Sequence, residues 1–153
     1  MLFMLVAFLS KAVGTAPIGA FPGYTPGSVV SGSVVVSQKD ASTLSVSYHL
    51  MGVTGASGGL RIYNGVSCAA ADGIGVPYWD TATLAADPWT TTNWGADDNG
   101  AVIGTFDVVS GYTVDQVLSH TAVVFQGDDM VGCGVLVDVI ATAYNAGTVR
   151  TRG

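Results

Sequence analysis

Between residues 28 and 64 the chain is built from short runs in which β-branched and apolar residues alternate with small polar ones, each run ended by a turn. "SVVSGSVVVSQ" (28–38) is followed by "KDAS", "TLSVSYHLMGV" (43–53) by "GASGG", and then comes "LRIYN" (60–64). In the second run Leu44, Val46, Tyr48 and Leu50 fall on one face, the period-two pattern of a strand with one side buried. The 21 glycines and the abundance of Val, Ser and Thr point the same way, because Gly and β-branched residues lose free energy on entering a helix. The chain is read as all-β. Its 153 residues form one domain, long enough for a real hydrophobic core.

Further along, "AVIGTFDVVS" (101–110) and "TAVVFQ" (121–126) read as strands, with "GYTVDQVLSH" as the crossover between them. "GDDMVG" reads as a turn and "CGVLVDVI" (133–140) as the last strand; the tail 141–153 has no strong period. Between strands lies a loop of about 35 residues, long enough to be uncommon in a compact domain. It holds Tyr78 and all three tryptophans, Trp79, Trp89 and Trp94. Such a set is expected to pack the loop onto the barrel, since aromatic side chains bury large areas. The alternative is that the same four side chains form a recognition surface. Seven or so short strands with Gly-rich connections fit either a β-sandwich or a Greek-key barrel.

Residues 12–28 are rich in Pro and Gly and are read as an extended linker, which starts the folded unit near Val29. Ahead of them, "MLFMLVAFLSK" carries an apolar run about half the ~20 residues a spanning helix needs. It lacks the positive start of a signal peptide, although Ala12-Val13-Gly14 resembles a cleavage site. The expectation is a retained segment that packs on a partner chain or a membrane surface; a start mis-assigned within a longer chain is the alternative.

Charged residues make up only 10% of the chain, against ~25% in an average soluble domain. All 11 acidic residues are aspartate, the formal charge is −6, and there is no basic run, so nucleic acid is not an expected partner. Asp97–Asp98 and Asp128–Asp129 read as solvated turns, because neither sits in a spaced loop offering the oxygen ligands calcium needs. Two cysteines remain. A bridge between Cys68 and Cys133 would tie the long loop to the last strand and imply an oxidising compartment: secreted, periplasmic, or an organelle lumen such as a thylakoid's. Two buried free thiols are the alternative.

Taken in order, "SYHLMGVTGASGGLRIYNGVSC", "GIGVPYWD", "HTAVVFQGDD" and "VGCGVLV" resemble the copper-binding core of the superoxide dismutase family, most closely its zinc-lacking, repeat-type branch. The resemblance covers about residues 29–140 and rests on the strand–GG–strand entry, the loop cysteine, the "YW" and "DPW" landmarks and the terminal "CGVL". It implies an eight-stranded Greek-key barrel with long loops and a Cys68–Cys133 bridge. It also implies where copper would be held. The family's HxH pair falls at Arg61 and Tyr63, a further ligand histidine at Pro77, and another at Phe125. The arginine that guides superoxide falls at Met130. None of the five positions carries the family's residue.

Copper that cycles between oxidation states needs imidazole or comparable donors. Proline and phenylalanine have no donor atom in their side chains, and arginine is permanently cationic. Tyrosine coordinates only as phenolate, with an unperturbed pKa of ~10. The two histidines, His49 and His120, read as hydrogen-bonded or surface residues, and no nucleophile–His–acid spacing suggests a hydrolase. The expected function is therefore that of a non-catalytic, superoxide-dismutase-like domain without a cofactor, an accessory subunit or interaction module of a larger, membrane-associated assembly. Its protein partner would engage the N-terminal segment or the Trp-rich loop. In this reading Arg61 fills the former metal position, paired with an aspartate. The alternatives are a copper superoxide dismutase with ligands drawn from Tyr63, His49, His120 and the aspartates, and a binding module built on the Trp-rich loop.

Overall fold

Strict alternation of inward and outward side chains produces the strands. The computed structural model describes residues 12–24 and 29–139, so the apolar segment 1–11 and the tail 141–153 lie outside the described residues. The strands are β1 (Gly14–Ala20), β2 (Ser31–Gln38), β3 (Thr43–Met51), β4 (Ser57–Tyr63), β5 (Asn93–Gly95), β6 (Val102–Val109), β7 (Thr121–Gln126), β8 (Asp129–Val135) and β9 (Val137–Asp138). All pair antiparallel, in the order β5-β4-β7-β8-β1-β2-β3-β6, with β9 beside β1. β5 also lies next to β6, so the sheet curls into a nearly closed barrel. Strands β4, β5 and β6 follow one another in space and β7 returns beside β4, which is the Greek-key arrangement.

The barrel is filled from both layers: Val34, Val36, Leu44 and Val46 from one, Leu60, Ile62, Ala122 and Val124 from the other, all buried. Each full burial of a Val, Leu or Ile stabilises by roughly 1.5–3 kcal/mol. Tyr48 packs at the edge of this core and its hydroxyl accepts a hydrogen bond from the Gly95 N–H, 2.9 Å away.

Three expectations are corrected. Residues 12–28 are not a linker throughout: Gly14–Ala20 is a strand of the barrel, with Ala16 and Ile18 buried in the core. Pro17 is tolerated because the second edge of β1 pairs only at Gly14–Thr15 and Gly19–Ala20, so the N–H it lacks has no ladder partner to serve. The "GDDMVG" turn shrinks to Gly127 and Asp128, and β8 already begins at Asp129. The expected last strand is divided at Leu136 into the end of β8 and β9. The crossover contains one helical turn, α1 (Val114–Val117), held by a capping box between Thr113 and Gln116. Among the described residues no helix is long and apolar enough to cross a membrane.

Candidate functional site

On β4, Leu60 and Ile62 point into the barrel, which leaves Gly59, Arg61 and Tyr63 on its outer face. The same alternation puts Val123 and Phe125 of β7 and Cys133 of β8 on that face. Cross-strand register then aligns Arg61 with Val123 and Val123 with Cys133; beyond an irregularity at Val124/Phe125, Phe125 faces Met130.

The long loop folds back over this face. Its neck is made by Asn64 N–H to Val76 O (2.8 Å), Gly65 N–H to Ile74 O (2.8 Å) and a β-bridge between Tyr63 and Pro77. The buried hydroxyl of Thr121 donates to Ile74 O at 3.1 Å. Further out, Cys68 is bonded to Cys133 in a disulfide with Cα atoms 5.9 Å apart. The result is a second hydrophobic cluster outside the barrel: Tyr63, Ile74, Val123, Phe125 and Cys133, flanked by Phe21, Cys68 and Met130.

The positions singled out from the sequence thus meet in one place. Tyr63 and Phe125 form an edge-to-face pair with centroids 6.1 Å apart and an interplanar angle of 82°. The Arg61 guanidinium lies 4.6 Å from the Phe125 centroid. Pro77 bridges to Tyr63, and Met130 pairs with Phe125. Arg61 does not have the expected aspartate partner; among the described residues the ion pair is Lys39–Asp107. Its compensation is the Phe125 ring, and its buried Nε has no hydrogen-bond acceptor. Burial holds the Tyr63 phenol above its ordinary pKa near 10; the neighbouring Arg61 opposes this shift and Asp87 adds to it.

The histidines take other places. His120 Nδ1 is 2.8 Å from Asn64 O, and its ring lies 4.4 Å from that of Tyr78, so it braces the loop neck. His49 is exposed on β3, in the opposite layer, between Ser33 and Ile103. Among the described residues no three of His, Cys, Asp or Glu gather closely enough to hold a metal ion.

The Trp-rich loop packs rather than presents. Trp89 and Trp94 are both 0% exposed. Trp89 Nε1 donates to Tyr78 O at 2.7 Å, and Trp94 Nε1 donates to Phe125 O at 2.9 Å. At these two positions the expected packing holds and the alternative of a recognition surface is corrected: a side chain with no accessible area cannot meet a partner. Tyr78 and Trp79 are half-buried against the same core, and Tyr78 also stacks on Tyr112 at 4.5 Å.

Sequence reasoning missed the glycines beneath the site. A Cβ at Gly58 would lie 2.2 Å from Phe125 O and 2.6 Å from Trp94 Nε1. One at Gly59 would lie 3.2 Å from Phe125 Cβ and 3.3 Å from Arg61 Nε. The "GG" pair was a visible signal, but its meaning depends on what lies against it. No protein-family model matches the chain, and no curated protein sequence matches it.

Proposed function

We propose that this chain is a superoxide-dismutase-like barrel without the dismutase chemistry, serving as a structural or accessory interaction domain. One observation carries the reading: the four positions that the resemblance assigns to copper ligands converge on one face under the disulfide-tied loop. An accidental likeness would give Arg61, Tyr63, Pro77 and Phe125 no reason to meet. What fills the place is an edge-to-face aromatic pair with a guanidinium on top, a packing solution rather than a donor set. The Greek-key strand order supports the same reading.

The Cys68–Cys133 bridge is compatible with an oxidising compartment; within that class we favour an organelle lumen, a periplasm or the cell exterior. The partner is a protein. The segment 1–11 is the part we assign to docking, and a deletion confined to residues 1–11 tests this without removing β1.

The decisive experiment measures copper and zinc in folded protein after equilibration with each metal, alongside a superoxide-scavenging assay with added copper. The expected result is metal well below one per chain and no inhibition beyond that of free copper. One tightly held copper per chain overturns the reading.

A further inference from the structure

We propose that the open edge of β6 takes up segment 1–11 of a second copy as an added strand, so that two copies exchange these segments and dimerise. The inference rests on the reading above in that residues 1–11 are the docking element, and it names their partner.

The barrel has one unclosed seam. β5 and β6 stand at the two ends of the strand order, and each pairs on one side only. They set out as neighbours across a turn, with the Asp97 N–H bonded to Ala101 O at 2.8 Å. The next N–H on that side, that of Gly95, goes to the Tyr48 hydroxyl at 2.9 Å and not to β6. From there the two strands part. Between Thr91–Asn93 and Phe106–Val109 lies a groove of about 370 Å³. Among the described residues no backbone hydrogen bond crosses it from Phe106–Val109 to Pro88–Thr92. Alternate residues of β6 therefore turn an N–H and a C=O toward the groove with no strand to meet them. Proteins commonly guard such an edge with charge, proline, a bulge or a cover. β6 has no proline, and its one charge, Asp107, is paired with Lys39.

Segment 1–11 fits this edge by place, length and chemistry. Ala12, which follows it, sits beside Gln38 and Ala41. Gln38 stands in one cross-strand row with Leu44 and Val108, so the segment leaves the barrel at the end where the groove reaches Val109. Extended, residues 1–11 reach up to about 36 Å, enough to pass between two facing barrel ends and run the ~14 Å of Phe106–Val109. Because exit and groove share one end, the exchange is reciprocal and closes as a two-fold dimer, where opposite ends would give a fibre. Residues 1–10 carry no charged side chain, so none is buried against Phe106 and Val108. The exchange places Lys11 at the mouth of the groove, against a body that holds all 11 aspartates.

The test uses full-length protein. Its only two cysteines are bridged, so an added cysteine reports alone. Ala7→Cys chains are mixed with mass-labelled Asn93→Cys chains, whose new thiol lines the groove, and mildly oxidised. A parallel mixture uses His49→Cys, exposed on β3 away from the groove. The expected result is a mixed covalent dimer with Asn93→Cys and none with His49→Cys. Light scattering should give two chains per particle for the unaltered protein and one after deletion of residues 1–11, which leaves β1 whole. One chain per particle up to roughly 100 μM, weaker than a specific dimer, overturns the proposal. So does equal cross-linking at both positions, or cross-linking only within a chain that carries both Ala7→Cys and Asn93→Cys. A dimer that is lost on deletion but never cross-links at Asn93→Cys overturns the groove while the docking role of 1–11 stands. Copper content of the same sample shows separately whether the parent reading has failed.

Discussion

Gly58 decides whether the barrel and its outer cluster can coexist. Trp94 comes in from β5 to donate its indole N–H to Phe125 O directly over Gly58, and a methyl group there would sit 2.2 Å from that oxygen. Backbone and indole are both locked, so neither can give way. Gly58→Ala is expected to cost about 3 kcal/mol or more, at the upper end of overpacking penalties, seen as a lower urea midpoint with an unchanged slope. Gly59→Ala meets only contacts of 3.2–3.4 Å and should fold, with Arg61 lifted from the ring. Tyr63 sets a second test at this scale. Burial raises its phenol pKa in the folded state, so the folded protein prefers the neutral form more strongly than the unfolded chain does. The stability this contributes is complete below the unfolded value near 10 and is lost as pH rises through the higher folded value. Urea midpoints measured from pH 8 to 11.5 should fall at the alkaline end, and Tyr63→Phe should fall less steeply. Some decline must remain, because burial also raises the phenol of Tyr78.

At the scale of elements, the loop after β4 has two parts with different supports. Its neck, Asn64–Gly65 against Ile74–Val76, is held by backbone bonds, by Thr121 and by His120. Its tip, residues 66–73, makes only local hydrogen bonds among the described residues and reaches the barrel through Cys68–Cys133. Reduction, or the double change Cys68→Ser with Cys133→Ser, should cost about 4 kcal/mol, from the chain-entropy cost of a loop spanning 65 residues. Hydrogen exchange should quicken in the tip well before the neck; uniform exchange of both would show that the bridge supports the whole loop. The elements legible beforehand were β2, β3 and β6, whose alternation one face explains, and β7, a short apolar run buried on both faces. β1 was not legible, because Pro17 and the flanking glycines mimic a linker unless the missing neighbour at that edge is known. The burial of Trp89 and Trp94 was half legible: their clustering pointed to packing, but their partners are backbone carbonyls, which leave no mark in a sequence. For Arg61 a carboxylate partner was the reasonable guess, and an aromatic ring from a strand far along the chain took its place.

For the molecule as a whole, the main core and the outer cluster are built on opposite faces of the same strands, so one can change without emptying the other. The barrel core contains neither Tyr63 nor Phe125, and the loop is tied on by the bridge whatever lies beneath it. This separation permits a direct experiment on the resemblance. The combined substitution Arg61→His, Tyr63→His, Pro77→His and Phe125→His removes the aromatic pair and the guanidinium, and with them a few kcal/mol of packing, on the order of a large-to-small core change for Phe125. It supplies four imidazoles in the same place. The variant should keep its β-sheet circular dichroism, melt at lower temperature without metal, and recover stability with one copper(II) per chain, because binding to the folded state alone raises stability by mass action. Variants carrying only two of the four changes should bind far more weakly, since two donors do not complete a copper site. A folded quadruple variant that takes up no copper would mean that these backbones are not disposed as a ligand set, and the likeness to the dismutase family would lose its main support.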